Sequence, residues 1–200
     1  MDFSSSGKFS VQSLYTVINH IGVVHVYVSA VWKLKIPPRV QIFLWLITKN
    51  KALTRDNLAK RREVTDKTCL FCSEAESVNH LFFNCCVAKN IWATIAGILD
   101  LRIDWDFEYM ATFWLANKKH ILTNIVSSAV IWCLWNFRNK MCFEGLVWTG
   151  TKAVLLWTAR MLRRWKPMYT QDLEVKVNSV IQDLELLANQ PPRLCRNGGT

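Results

Sequence analysis

Cys69-Leu-Phe-Cys72, His80 and Cys85 place three thiols and an imidazole within 17 residues, in the order C-x2-C-x7-H-x4-C. No other feature of the chain restricts its local fold so tightly. A CxxC turn presents two thiolates from one loop. A nearby histidine and a third cysteine complete the four ligands that zinc takes in a tetrahedron. Four protein ligands leave no open position, so such a centre is structural: it contributes folding energy and not hydrolysis. The competing reading is a set of buried thiols with an incidental histidine. A lone CxxC would favour that reading; His80 and Cys85 together favour zinc. Cys86 rivals Cys85 for the last place, because adjacent residues point to different sides. Cys133, Cys142 and Cys195 lie far away, the first two on an apolar helix, and core packing is their default.

The cysteine count bears on the compartment. Seven cysteines, four of them between 69 and 86, do not form the even framework of a small secreted domain. The opening residues show no basic segment followed by an apolar run, so the expectation is a reducing compartment and no secretion. A hydrophobic content of 51% excludes global disorder, and 7 Gly with 5 Pro exclude collagen-like repeats. Lys and Arg outnumber Asp and Glu by 25 to 15, and a formal charge of +10 favours a polyanionic partner. Residues 121–137 carry no charge and lie between Lys118-Lys119 and Arg138. A membrane span needs about 20 mostly apolar residues. This stretch contains Thr123, Asn124, Ser127, Ser128 and Asn136, so it reads as a core helix and a membrane is rejected.

Apolar spacing predicts a mainly α chain: a small zinc-stapled helical module followed by a Trp-rich helical region. Val11, Leu14, Tyr15 and Ile18 set a short helix over 7–20, with Ser10 as its cap. The β-branched run 21–31 is a short strand or an apolar linker. Pro38 suits the first turn of a helix over 38–49, and Thr54 caps a short second one with Asp56 near its positive end. A further helix covers 86–98, and the second half forms helices at about 106–116, 119–143, 149–165 and 171–189. Gly145 and Gly150 bracket one connection and Pro167 another. The resulting division is an N-terminal helix and linker over 1–29, the zinc module over 30–100, a helical region over 101–190 and a disordered tail over 191–200.

Several motifs occur in the order of a known module. Trp32-Lys-Leu-Lys-Ile-Pro37-Pro38-Arg39 leads to Phe43-Leu-Trp45, then Leu53-Thr54-Arg55-Asp56-Asn57-Leu58, the cysteine–histidine cluster, and Ile91-Trp92. Gly7-Lys8-Phe9-Ser10-Val11 precedes them, and Ile131-Trp132-x-x-Trp135-x-x-Arg138-Asn139 with Phe143-Glu144-Gly145 follows. Over roughly 7–145 the chain resembles the reverse transcriptase zinc-binding domain of plant non-LTR (LINE-type) retroelements. The resemblance implies that Cys69, Cys72, His80 and Cys85 hold a structural zinc. It also implies an origin beside a polymerase and a nuclear or cytoplasmic setting. Cys86 stands where a proline commonly follows the last ligand of the family. Oligomeric state is left open.

The residues of an enzyme are missing. A reverse transcriptase needs an Asp-Asp pair, and the sequence has no adjacent aspartates. Asp104, Asp106 and Glu108 alternate, but in a short linker without the convergent carboxylates that two-metal phosphodiester chemistry requires. No catalytic residue is therefore assigned. Between 33 and 67 ten cations face three acids, whereas 171–190 is acidic. Such a surface gives salt-sensitive contacts to RNA or DNA phosphates, for which Arg55, Lys60, Arg61 and Arg62 are the candidates. Phe71 is the candidate for base stacking, or it packs under the zinc loop. Trp32, Trp45 and Trp92 read as core. Arg160, Arg163 and Arg164 form a second basic cluster, suited to an acidic partner or to helix packing. The leading expectation is a non-catalytic nucleic-acid-binding zinc module. The alternative is a structural domain that docks a protein partner through its Trp-rich half.

Overall fold

The computed structural model describes residues 29–101 and 107–190. The expected helix over 7–20, Asp104 and Asp106, and the tail with Cys195 lie outside the described residues. Seven α-helices lie wholly within the described residues: α1 (Pro38–Thr48), α2 (Arg55–Ala59), α3 (Cys86–Leu99), α4 (Phe107–Leu115), α5 (Ile121–Phe143), α6 (Thr151–Trp165) and α7 (Gln171–Asn189). A π-helical turn spans His80–Asn84 and a 3-10 turn spans Lys166–Met168. The only β pairing among the described residues is an isolated antiparallel bridge between Thr68 and Ala75. The fold is mainly α, as the apolar spacing requires.

Helices α1 and α7 bury the apolar residues that their spacing predicts. On α1 these are Val40, Phe43, Leu44 and Ile47, with Pro38 in the first turn, where no amide partner is lost. On α7 they are Leu173, Val177, Val180, Ile181, Leu184 and Ala188. The longest helix, α5, is buried over most of its first half, and several of its polar side chains are hydrogen-bonded there. Ser128 Oγ donates to the Asn124 carbonyl at 2.6 Å, and Asn124 Nδ2 donates to the Phe113 carbonyl at 2.9 Å. Among the described residues no helix is long and apolar enough to cross a membrane. Gly145 and Gly150, with φ of 67° and 111°, make the turns between α5 and α6 that a side chain would strain.

The core is continuous from Ala30 to Ala188. α6 packs most extensively on α7 and then on α5, while α3 touches both α6 and α7. Phe43 of α1 lies at centroid distances of 5.3 Å from Trp132, 5.2 Å from Trp135 and 5.9 Å from Phe82. One aromatic cluster therefore joins the cysteine-bearing half to α5. Trp92 is buried as expected, whereas Trp45 is half-buried and Trp32 is 48% exposed. Trp32 lies in the turn that follows helical residues 29–31, where helical spacing no longer governs its direction.

The Trp92 indole donates to the Phe82 carbonyl at 2.6 Å and stacks on Phe83 at 6.1 Å. Trp92→Phe leaves that buried carbonyl without its donor. The expected cost is about 1–3 kcal/mol, read as a lower urea midpoint with an unchanged m value.

Candidate metal centre

Two small pieces of backbone bring the four candidate ligands together. The first is a hairpin over 67–76, closed by Cys69 N–H to the Glu74 carbonyl at 2.7 Å and Glu76 N–H to the Lys67 carbonyl at 2.8 Å. It carries Cys69 and Cys72. The second is the π turn, in which Cys85 N–H donates to the His80 carbonyl at 2.7 Å. This bond links residues five apart, the spacing of H-x4-C, so the wider turn directly ties the histidine to the third cysteine. It also lets Leu81, Phe82 and Phe83, three successive side chains, all be buried beneath the site.

The ligand atoms of Cys69, Cys72, His80 and Cys85 all lie within 4.8 Å of one another. Cys69 Sγ is 4.0 Å from Cys85 Sγ, Cys85 Sγ is 3.7 Å from Cys72 Sγ, and His80 Nε2 is 3.1 Å from Cys72 Sγ. A zinc–thiolate tetrahedron with arms of about 2.3 Å has edges of about 3.8 Å, so the sulfur separations fit that ion. Cys86, one residue further, is exposed at the start of α3, whereas Cys85 is buried and faces the cluster.

Hydrogen bonds orient the ligands. Glu74 Oε2 lies 3.3 Å from His80 Nδ1, which leaves Nε2 toward the sulfurs. The Phe71 amide donates to Cys69 Sγ at 3.4 Å. Amides of Val87 and Ala88, in the first turn of α3, point at the Cys85 sulfur, where the positive end of the helix favours a thiolate. The Cys69–Cys85 contact holds the Cys69 thiol below its usual range. That contact and burial push Cys85 up, and burial raises Cys72. A divalent cation would remove this competition by taking all three as thiolates.

The structure adds two residues that sequence reading missed. Glu76 lies between Cys72 and His80 in the chain and is fully buried, its carboxylate held by Arg138 of α5. Arg138 Nη2 is 2.7 Å from Glu76 Oε1 and Nε is 3.2 Å from Oε2. The Arg55 amide also donates to Glu76 Oε1 at 2.8 Å. Glu76 thus caps α2 from 21 residues away. Thr54, the expected cap, makes no such bond; its hydroxyl contacts Asp56 Oδ1 at 2.5 Å and the Ala52 carbonyl.

The expected phosphate-binding residues separate into two groups. Arg55 is committed inward: Nη1 contacts Asp66 Oδ2 at 2.5 Å and the Thr68 carbonyl at 2.7 Å. Thr68 and Arg55 hold the Asp66 carboxyl down at about 2. Arg55 therefore braces the hairpin and is withdrawn as a phosphate contact. Lys60, Arg61 and Arg62 are exposed, with Lys60 Nζ also 2.7 Å from Asn57 Oδ1. The expectation of stacking by Phe71 is corrected. Its ring is buried and meets Trp148 edge-on at 4.8 Å, because the CxxC turn folds it onto the second half. Cys133 is a core residue whose thiol is pushed up to about 12 by burial.

A hairpin and a turn joined around a closed Cys3His group, set in a helical scaffold, define a zinc-binding type of module. Residues 9–92 match the family model described as zinc-binding in reverse transcriptase. The chain is also similar to a protein of Arabidopsis thaliana named as a ribonuclease H protein, at 25% identity over 148 residues. That match covers 68% of this chain, which spans about a quarter (24%) of the relative's length. Both matches support a retroelement origin. No solved structure matches the chain significantly.

Proposed function

We propose that this chain is a non-catalytic nucleic-acid-binding module in which Cys69, Cys72, His80 and Cys85 hold a structural zinc. The observation that carries this reading is a groove of about 470 Å³ beside α2, where Arg61 and Arg62 stand with Trp135 and Phe143. Phe143 is 75% exposed and supplies the aromatic surface that Phe71 does not. Cations beside an open ring suit phosphates and an unpaired base together. The groove depends on the metal, because α2 is anchored to Glu76 inside the ligand loop. A second reading, protein docking with zinc as a staple only, is favoured by the apolar side chains of Phe143 and Val147 on one exposed stretch.

Fluorescence anisotropy with a labelled single-stranded RNA, on the zinc-loaded chain across a salt series, separates the two. Affinity is expected to fall steeply with salt. Arg61→Ala with Arg62→Ala should weaken binding about tenfold and flatten the slope of log K against log salt by about 1.4. A folded, zinc-containing protein that ignores RNA overturns the proposal and leaves protein docking.

A further inference from the structure

The basic cluster on α6 divides in the structure. Arg163 turns toward α7 and pairs with Glu185, its Nη2 2.7 Å from Oε2. Arg160 and Arg164 turn the other way and are exposed, and among the described residues neither makes a hydrogen bond or an ion pair. They line a groove of about 400 Å³ with Arg39 of α1 and Lys140, Trp132 and Trp157. No acid lines it. Arg39 lies over the Trp132 ring at 5.8 Å, and Lys140 Nζ lies 5.9 Å from the Trp157 centroid while pairing with Glu144. Four cations from three helices therefore surround two half-buried indoles.

We infer that this groove is a second seat for the same unpaired polynucleotide strand, with phosphates on Arg39, Arg160 and Arg164 and a base against the indole floor. The inference rests on the nucleic-acid reading above. Charge selects a polyanion, and the indoles select one that has flat, unpaired rings, which a duplex hides. The placement of the two grooves along neighbouring stripes of α5 supports a single strand. Trp132, Asn136 and Lys140 line this groove, and Trp135, Asn139 and Phe143 line the one beside α2. Each set repeats every fourth residue of α5, and a three-residue offset turns one stripe about 60° from the other. The strand would thus follow α5 from one groove into the next.

Arg160→Ala with Arg164→Ala tests this in the full, zinc-loaded chain, since neither side chain supports the fold. A labelled oligouridylate should bind the double variant about tenfold more weakly, with the salt slope lowered by about 1.4. Arg39→Ala should act in the same direction. Unlabelled oligouridylate should compete far better than inorganic polyphosphate or duplex RNA of equal charge. Unchanged affinity and slope overturn the inference, and so does equal competition by polyphosphate or duplex. An acidic peptide that outcompetes the oligonucleotide overturns it in favour of a protein partner. If Arg61→Ala with Arg62→Ala weakens binding and the α6 variant does not, this groove falls and the proposed function stands. If the wild-type chain binds no RNA, both fall.

Discussion

Removal of the metal, by chelation under reducing conditions or by Cys72→Ser, is expected to loosen far more of the chain than the loop it closes. The ligand loops have little structure of their own. The hairpin is closed by two backbone hydrogen bonds, which form its one β bridge, and the π turn is a single short turn that includes the bond from Cys85 to His80. Structural zinc contributes about 10–16 kcal/mol in zinc-finger peptides, against a net stability of about 5–15 kcal/mol for a whole domain. Leu81, Phe82 and Phe83 are buried between two ligands, and Phe82 belongs to the aromatic cluster with Phe43 and Trp135. Loss of the ion therefore frees a wall of the common core. The expected signature is a large drop in the thermal midpoint by far-UV circular dichroism, with dye binding to newly exposed apolar surface. Metal content by mass spectrometry should fall from one zinc per chain to none. Cys86→Ser, at the exposed neighbouring thiol, should change none of these. An identical melting curve with and without metal would return the cluster to the reading of buried thiols alone.

The longer helices were legible in the sequence because apolar residues recur along them at helical spacing, and α7 and α1 bury theirs where that spacing places them. The grouping of the four candidate ligands was legible for a different reason: CxxC and H-x4-C are local spacings, and short backbone motifs realise both. Long-range pairing was not legible. Nothing in the order of residues says that Glu76 meets Arg138, 62 positions away, or that Arg55 turns inward to Asp66. Arg138 carried one signal that could have been used. It stands on an otherwise charge-free face of α5, inside the motif Trp135-x-x-Arg138-Asn139, where a buried cation needs an acid. Glu76 lies among the ligands and was the obvious acid to try. Phe71 and Arg160 show the same limit on the surface. Which side a ring or a guanidinium faces is decided by what packs behind it, and only Trp148 and the α5–α6 contact supply that.

Arg138→Ala is expected to be among the most damaging single changes outside the ligands. Arg138 and Glu76 are 2% and 0% exposed, and the guanidinium is shared between the carboxylate and the Trp135 face at 5.4 Å. Breaking a buried pair from one side leaves an uncompensated charge, at a cost of about 3–5 kcal/mol. Here the orphaned group would be Glu76, which also holds the first amide of α2 and sits in the loop between Cys72 and His80. Stability and metal retention should therefore fall together. Arg138→Ala should show a lower urea midpoint and release zinc to a chromophoric chelator at a lower chelator concentration. The double variant Arg138→Met with Glu76→Gln removes both charges and keeps an oxygen for the Arg55 amide. It should be more stable than Arg138→Met alone, because the desolvated charge is gone. A cycle over the four proteins should give a coupling of about 0.5–3 kcal/mol. High salt should change it little, since a pair shielded from solvent is screened far less than a surface one. Strict additivity in the cycle would mean that the pair does not act as a unit. Normal zinc retention in Arg138→Ala would mean that the ligand loop holds its shape without α5. Only if both effects appear is the buried pair the means by which the helical half keeps the metal centre closed.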